Sequence, residues 1–459
     1  MVHHWNWLAM RLGSDDTNGP MALFQEGQMR RNIQAAGRET CAKAGRPTGP
    51  EPRAAQVAVL TGGGDRPYAL GLAAALIAQG VPFDFIASDD LDDPELHRSP
   101  LVHFLNLRKE IRSDVSMVRK VVRVLLYYWR LLIYAATAKP KLFHILWNNK
   151  FAVLDRTLLM LYYRALGKCV VFTAHNVNAG WRDNSDSLLN RLTLKIQYQL
   201  CDHLFVHTEQ MRRQLRACFA VADAKISVIP FPINSTVPNT VLTSVEAKQR
   251  LGLTRHQKVV LFFGSIAPYK GLEYLVEAMI LLARTGPDYR LIIAGRPKNC
   301  ASYWDAIQER ISCAEIRSNV IERVEYVPDA DTEIYFKATD VLILPYTHIF
   351  QSGVLFLGYN FGLPVIASDV GSLREDVIVG RTGFLSKPQD PTDLAKCIET
   401  YFSSELYIKL EMRRQEIQDF AAKKYSWTRV SEIIRSAYKN FQSHPIGILV
   451  KGKRHTIHT

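Results

Sequence analysis

The stretch from Asp340 to Asp369 reads D-V-L-I-L-P-Y-T-H-I-F-Q-S-G-V-L-F-L-G-Y-N-F-G-L-P-V-I-A-S-D, and its punctuation decides the fold. Val341 to Leu344 is a short apolar run that ends at Pro345, a residue that cannot continue a central strand. A polar stretch with Gln351, Ser352 and Gly353 follows, and from Val354 the chain turns apolar in a way that suits a buried helix. Gly362 and Pro364 end that helix, and Val365, Ile366 and Ala367 open a second buried strand. The pattern is strand, loop, helix, parallel strand. Unsatisfied N–H groups and the positive end of a dipole sit at such a helix start, so the amides around Gln351, Ser352, Gly353 and Val354 suit a phosphate.

A second block has the same grammar. The apolar strand Val259 to Phe263 runs into Gly264-Ser265-Ile266-Ala267-Pro268-Tyr269-Lys270-Gly271, and an amphipathic stretch follows from Leu272 to Ala283. Taken alone, Lys270 is as readily a solvated turn lysine as a binding group. Together the two blocks resemble the donor-binding half of the GT-B glycosyltransferases, specifically the retaining family 4 (group 1). Pro345 and Pro364 keep the family's spacing without a gap, and Lys270-Gly271 matches its lysine-glycine. Three family residues are replaced. Ile349 and Leu357 stand where the family has glutamates, the second of which holds the ribose, and Ser265 stands in place of an arginine.

The resemblance implies an α/β chain of two facing Rossmann-like domains with an interdomain cleft. It implies transfer of a sugar from a nucleotide-diphosphate sugar to an acceptor hydroxyl with retained configuration, with no metal and no bound cofactor. Lys270 would stabilise charge building on the diphosphate leaving group, where a fixed cation acts most strongly in the transition state. Arg296, in the turn Gly295-Arg296-Pro297-Lys298 after the strand Arg290 to Ala294, is the expected substitute for the arginine missing at Ser265; a surface turn arginine is the bland alternative. Glu375, in Ser372-Leu373-Arg374-Glu375, occupies the family's usual acidic place.

The first half is weaker but consistent. Gln56 to Leu60 is a short strand leading through Thr61-Gly62-Gly63-Gly64-Asp65 into a helix to Ala78, and Phe83 to Ala87 is the next strand. Open α/β sheets bind ligands at such a turn. A dinucleotide fingerprint fails because Pro67 occupies the place of the third glycine. The run Asp89-Asp90-Leu91-Asp92-Asp93 contains D-x-D but precedes Pro94-Glu95, as a capped loop would. By the resemblance, Gly63 and Gly64 line the cleft wall opposite the donor. His175 and Asn176, ending the strand Cys169 to Thr173, would lie beside the sugar, where an imidazole can accept, donate or move a proton. A core or loop histidine is the plain alternative.

Residues 1–53 are rich in Gly, Ala, Arg, Thr and Pro without periodicity and read as a disordered extension or as sequence upstream of a later start. The expected units are 54–234 on the acceptor side, 235–424 for the nucleotide sugar, a helix over 425–445 crossing back to the first domain, and a tail over 446–459. Seven cysteines without C-x-x-C pairing suggest a reducing compartment. No signal peptide is apparent, so the expected location is cytoplasmic.

The 459-residue chain carries a net charge of +13, unevenly spread. Arg98 to Lys168 holds fourteen basic residues against Glu110, Asp114 and Asp155, a net of +11. Arg119, Arg123 and Arg130 share one expected helix face, with Val121, Leu125, Tyr128 and Leu132 on the other. That helix either packs on the core or lies on an anionic membrane surface, which suits a glycan or lipid-linked acceptor at the inner face of a membrane. No basic-aromatic module points to nucleic acid. Two other classes share the fold: a non-catalytic nucleotide- or glycan-binding module, and a nucleotide-sugar epimerase.

Overall fold

The computed structural model describes residues 56–109, 117–182, 185–233, 237–286, 288–298, 300–314 and 316–443. The expected N-terminal extension and the C-terminal tail lie outside the described residues. Two all-parallel sheets organise the chain. The first is built from β1 (Val57–Leu60), β2 (Phe83–Ala87), β3 (Val102–Asn106), β4 (Leu142–Ile145), β5 (Cys169–Ala174), β6 (His203–Val206) and β7 (Ile226–Val228), in the order β3-β2-β1-β4-β5-β6-β7. The second contains β8 (Lys258–Phe263), β9 (Tyr289–Ala294), β10 (Val320–Arg323), β11 (Val341–Leu344), β12 (Val365–Ser368) and β13 (Gly383–Ser386), in the order β10-β9-β8-β11-β12-β13. Most of these strands are apolar along their whole length because helices cover both sheet faces.

Both strand orders reverse once, between β1 and β4 and between β8 and β11. Right-handed crossovers then send the helices to opposite faces on either side of that point, which leaves a crevice beyond the strand ends. The Gly62–Gly64 turn follows β1, and the Lys270 and Gln351 loops follow β8 and β11. Both crevices open at the carboxyl ends of their sheets, and these ends face each other. Phe350, from the loop after β11, packs in the first sheet's core, and Glu375, beyond β12, reaches the helix that follows β6. Phe231 bridges the two halves, stacked on Phe356 with ring centroids 5.5 Å apart and 6.0 Å from Tyr68.

The helix Trp427–Ser443 buries Val430, Ile434 and Tyr438 against the first sheet. Gly71 admits the Trp427 ring there, since a Cβ on it would lie 2.3 Å from the indole. The acidic run after β2 is a short 3-10 turn over Asp89–Leu91 followed by a helical turn that Asp93 caps through the Glu95 amide, as a capped loop requires.

The helix Met117–Thr137 corrects one expectation. Its buried stripe is Tyr127, Tyr128, Leu131 and Ala135, whereas Val121 and Leu125 face outward and Arg123 and Arg130 are half-buried. Arg130 Nη1 donates to the Leu107 carbonyl, 3.3 Å away. The tyrosines win the core because they bury more apolar area and their hydroxyls find partners: Tyr128 donates to Asp155 at 2.9 Å and Tyr127 to Asn149 at 2.6 Å.

Candidate active site

On the donor side, Gly264 leaves β8 at φ +93° and Ser265 follows, half-buried, at the strand end. The 3-10 turn Pro268–Lys270 and the left-handed Gly271 then bring the chain back under Pro345, so close that a Cβ on Gly271 would lie 2.0 Å from the Pro345 carbonyl oxygen. This folds Lys270 inward. Its residue is 6% exposed, and its Nζ lies 3.0 Å from the point where a Cβ on Gly264 would sit. The ammonium is 6.0 Å from the Phe262 ring centroid and 5.7 Å from that of Tyr346. Among the described residues no carboxylate pairs with it. Burial, and then the Lys298 charge, depress its pKa to about 8.

Gln351, Ser352 and Gly353 close the other side. Ser352 is buried and its hydroxyl lies 3.2 Å from that of Tyr346, while both amide atoms of Gln351 are buried without a partner. The helix Gly353–Asn360 starts here, and a Cβ on Gly353 would meet nothing within 4 Å, so the helix start opens onto free space. Val354 reaches within 3.5 Å of the Gly264 position that borders Lys270. The buried cation and the helix start thus meet at Gly264, and the loop that leads into that helix carries the unpartnered Gln351 amide. Ile349 is buried and Leu357 packs half-buried on the core, so neither supplies a carboxylate.

Arg296 comes near by backbone only. The Ile266 amide donates to its carbonyl at 2.8 Å, which sets the turn beside Ser265, but its exposed guanidinium lies 5.9 Å from the Tyr326 ring centroid. Lys298, two residues on, is the cation whose charge Lys270 feels. Glu375, in the family's usual acidic place, faces the first domain here. Its two carboxylate oxygens each accept a 2.8 Å hydrogen bond, from the Glu209 and Gln210 amides at the start of the helix Glu209–Phe219. A helix start is a favourable seat for a carboxylate, and Arg213 stands 3.5 Å away.

The opposite wall is the glycine turn. Gly62 and Gly63 both have positive φ, and a Cβ on Gly62 would lie 2.0 Å from the Trp147 carbonyl oxygen. Gly64 lies under the Trp147 ring, and Gly63 lies under Arg108. Arg108 Nη2 donates to the Gly62 carbonyl at 3.1 Å and to Asn149 at 3.4 Å, with the guanidinium 4.9 Å from the Tyr127 centroid. Trp147 in turn stacks on His175, centroids 4.2 Å apart and planes within 3°.

His175 Nδ1 lies 3.0 Å from His207 Nε2, and His207 Nδ1 faces the Ile229 carbonyl at 3.3 Å. That carbonyl requires a proton on His207 Nδ1, which leaves His207 Nε2 to accept from His175 Nδ1–H. His175 Nε2 is then a bare acceptor, buried and without a partner. Burial, then the neighbouring histidines, hold its pKa well below the ordinary value, and burial lowers that of His207 to about 4. At neutral pH His175 is thus a neutral imidazole with a free acceptor at Nε2. Asn176 is half-buried next to it.

The family model described as Glycosyltransferase Family 4 matches residues 62–237, and that for Glycosyl transferases group 1 matches 257–404, together more than half of the chain. The chain belongs with the group 1 glycosyltransferases of family 4. Its curated relatives include a D-inositol 3-phosphate glycosyltransferase of Corynebacterium glutamicum, 25% identical over 59% of this chain and 66% of the relative. One of that name from Acidothermus cellulolyticus is 28% identical over 52% of this chain and 53% of the relative. The matched region thus spans two thirds or less of these relatives. The GT-B fold of this family member is shared with sucrose-phosphate synthase from Thermosynechococcus elongatus, at TM-score 0.67 and 19% identity over 84% of this chain and 99% of that one. Anabaena HepE in complex with UDP aligns at TM-score 0.63 and 17% identity over the same shares.

Proposed function

We propose that the protein transfers a sugar from a nucleoside-diphosphate sugar to an acceptor hydroxyl with retention of configuration and without a metal. The observation that carries this is the buried, unpaired Lys270 beside the free start of the Gly353–Asn360 helix, at the switch point of the second sheet. A buried ammonium without a counter-ion is costly, and a diphosphate entering the crevice supplies one. HepE complexes with UDP and with UDP-glucose support this class of donor.

As the bond from sugar to diphosphate breaks, negative charge grows on the phosphate oxygens. Lys270 and the amides of Gly353 and Val354 meet that charge with fixed, pre-oriented donors. Gln351 offers a donor and an acceptor to the nucleoside or sugar, partly replacing the carboxylate absent at Leu357. His175 Nε2 accepts from a sugar hydroxyl and so orients the ring, with Asn176 beside it. Gly63 and Gly64 let Arg108 and Trp147 lie close over the turn, and those two side chains form the wall that the acceptor meets. Arg108 beside them favours an acceptor with an anionic group, in keeping with the D-inositol 3-phosphate in the relatives' name. A glycan or lipid-linked acceptor at the cytoplasmic face of a membrane fits the same wall.

Thermal-shift titration with UDP, GDP and their sugars tests the donor, because a ligand that binds only the folded state raises the melting temperature. Stabilisation by one diphosphate, and transfer from its sugar that persists in excess EDTA, is the expected result. Indifference to every nucleotide would return the protein to the binding-module class. Binding with interconversion of the sugar in place of transfer would make it an epimerase.

A further inference from the structure

We infer that the outer surface of the helix layer over the first sheet is a membrane-docking face that sets apolar side chains into the headgroup region of a bilayer containing anionic lipid. The inference deepens the lipid-linked acceptor reading above and takes its purpose from it, while its test requires no transfer. Fourteen of the twenty-one large hydrophobic side chains exposed among the described residues fall between Val118 and Leu192. They are not scattered. On the helix Met117–Thr137, Val118 (72% exposed), Val122, Leu125 and Trp129 (63%) follow one another at i, i+4, i+7 and i+11, a single outward stripe.

Two later helices of the same layer add to it. Leu158 and Leu161 are exposed on Leu158–Ala165, and Leu188 (83%) and Leu192 on Leu188–Leu200. These helices share one core beneath the stripe, and the Tyr162 hydroxyl ties the second to the first through the Leu132 carbonyl at 3.1 Å. An apolar surface of this extent marks an interaction site.

Charge selects the occupant. From residue 117 to 192 the sequence has twelve basic residues and three acids, Asp155, Asp183 and Asp186; Asp155 is buried under Tyr128 and Asp186 is paired with Arg191. Arg119, Lys139 and Lys141 are exposed around the apolar stripe. An apolar stripe with a Trp, bordered by an excess of cations over acids, suits the boundary between acyl chains and anionic headgroups. No described helix is long and apolar enough to cross a membrane, so the surface lies on the bilayer. The docked helix follows the segment that leaves β3 past Arg108, which rests on the glycine turn, so a lipid-linked acceptor would enter from that side.

The test is co-sedimentation of the full chain with vesicles of phosphatidylcholine, alone or with about one quarter phosphatidylglycerol. Binding to the anionic vesicles is expected to survive in part at about 1 M salt, where charges are screened within about 3 Å. The triple variant Leu125→Gln, Trp129→Gln, Leu161→Gln, all at exposed positions, should lose partitioning at least about tenfold. Its melting temperature and nucleotide binding should remain those of the wild type. A wild type that ignores anionic vesicles, equal binding by the variant, or complete release by salt would overturn the inference. A wild-type dimer that the same substitutions dissociate would assign the face to a second copy. Vesicle binding with no sugar transfer would leave this inference standing and remove the catalytic reading.

Discussion

Lys270→Met separates the binding role of this lysine from any role in stability. The fall of its pKa from 10.5 to about 8 means that the folded protein disfavours the ammonium by about 3 kcal/mol relative to water. The sign follows from proton counting. Between about pH 8 and 10.5 the unfolded chain holds a proton that the folded chain lacks, so stability rises with pH across that window and is flat below it. Methionine fills similar space without charge. The variant should therefore gain up to about 3 kcal/mol at neutral pH and lose the rise above pH 8. Urea unfolding at pH 7 and pH 10 reads both effects. In the same variant, affinity for a nucleoside diphosphate should fall at least about tenfold, or ~1.4 kcal/mol, with nucleoside affinity little changed. A destabilised variant, or one that binds both ligands as before, would show that Lys270 is a packing residue.

In the wild type, diphosphate affinity should decline above about pH 8 as Lys270 loses its proton, and Lys270→Arg should shift that decline upward; titration calorimetry across pH 6 to 10 follows it. Lys298→Ala should raise the Lys270 pKa and weaken diphosphate binding more than Arg296→Ala does, and the reverse ranking would favour Arg296 as the second cation. Arg108→Ala should raise KM for an anionic acceptor while leaving donor affinity unchanged, and an equal loss for both would make it a structural brace. Gly62→Ala forces a side chain onto the Trp147 carbonyl at a positive φ, so a loss above about 2 kcal/mol is expected in denaturant melts.

The strand–loop–helix blocks were legible because each is short, uninterrupted and closed by proline or glycine, so local chemistry alone specifies them. The two stretches chosen for a phosphate, around Lys270 and around Ser352, converge because the strands before them, β8 and β11, are neighbours in the sheet. Arg108, Trp147 and Lys298 carried no such signal. Each is an ordinary residue in its own segment and enters the site only through strand order. Glu375 sat in a familiar position, but its orientation depends on a helix start more than 160 residues away in the chain. The Met117–Thr137 helix misled for a different reason. It has two apolar stripes, one through Val118, Val122, Leu125 and Trp129 and one through Tyr127, Tyr128, Leu131 and Ala135, and periodicity cannot say which one meets the sheet.

Phe350 ties the two halves of the molecule to a single timing. Its ring is embedded in the first sheet's core, yet its backbone belongs to the loop that also carries Gln351 and Ser352. If the two sheets separate, either the ring is drawn out of its socket or the loop is pulled out of shape. Both outcomes spoil the cradle for the diphosphate. On the proposed function, opening the cleft and releasing the nucleotide would be one mechanical event, paced by a side chain outside the proposed donor cradle. Phe350→Ala should accordingly quicken nucleotide dissociation measured by stopped flow, with the association rate little altered.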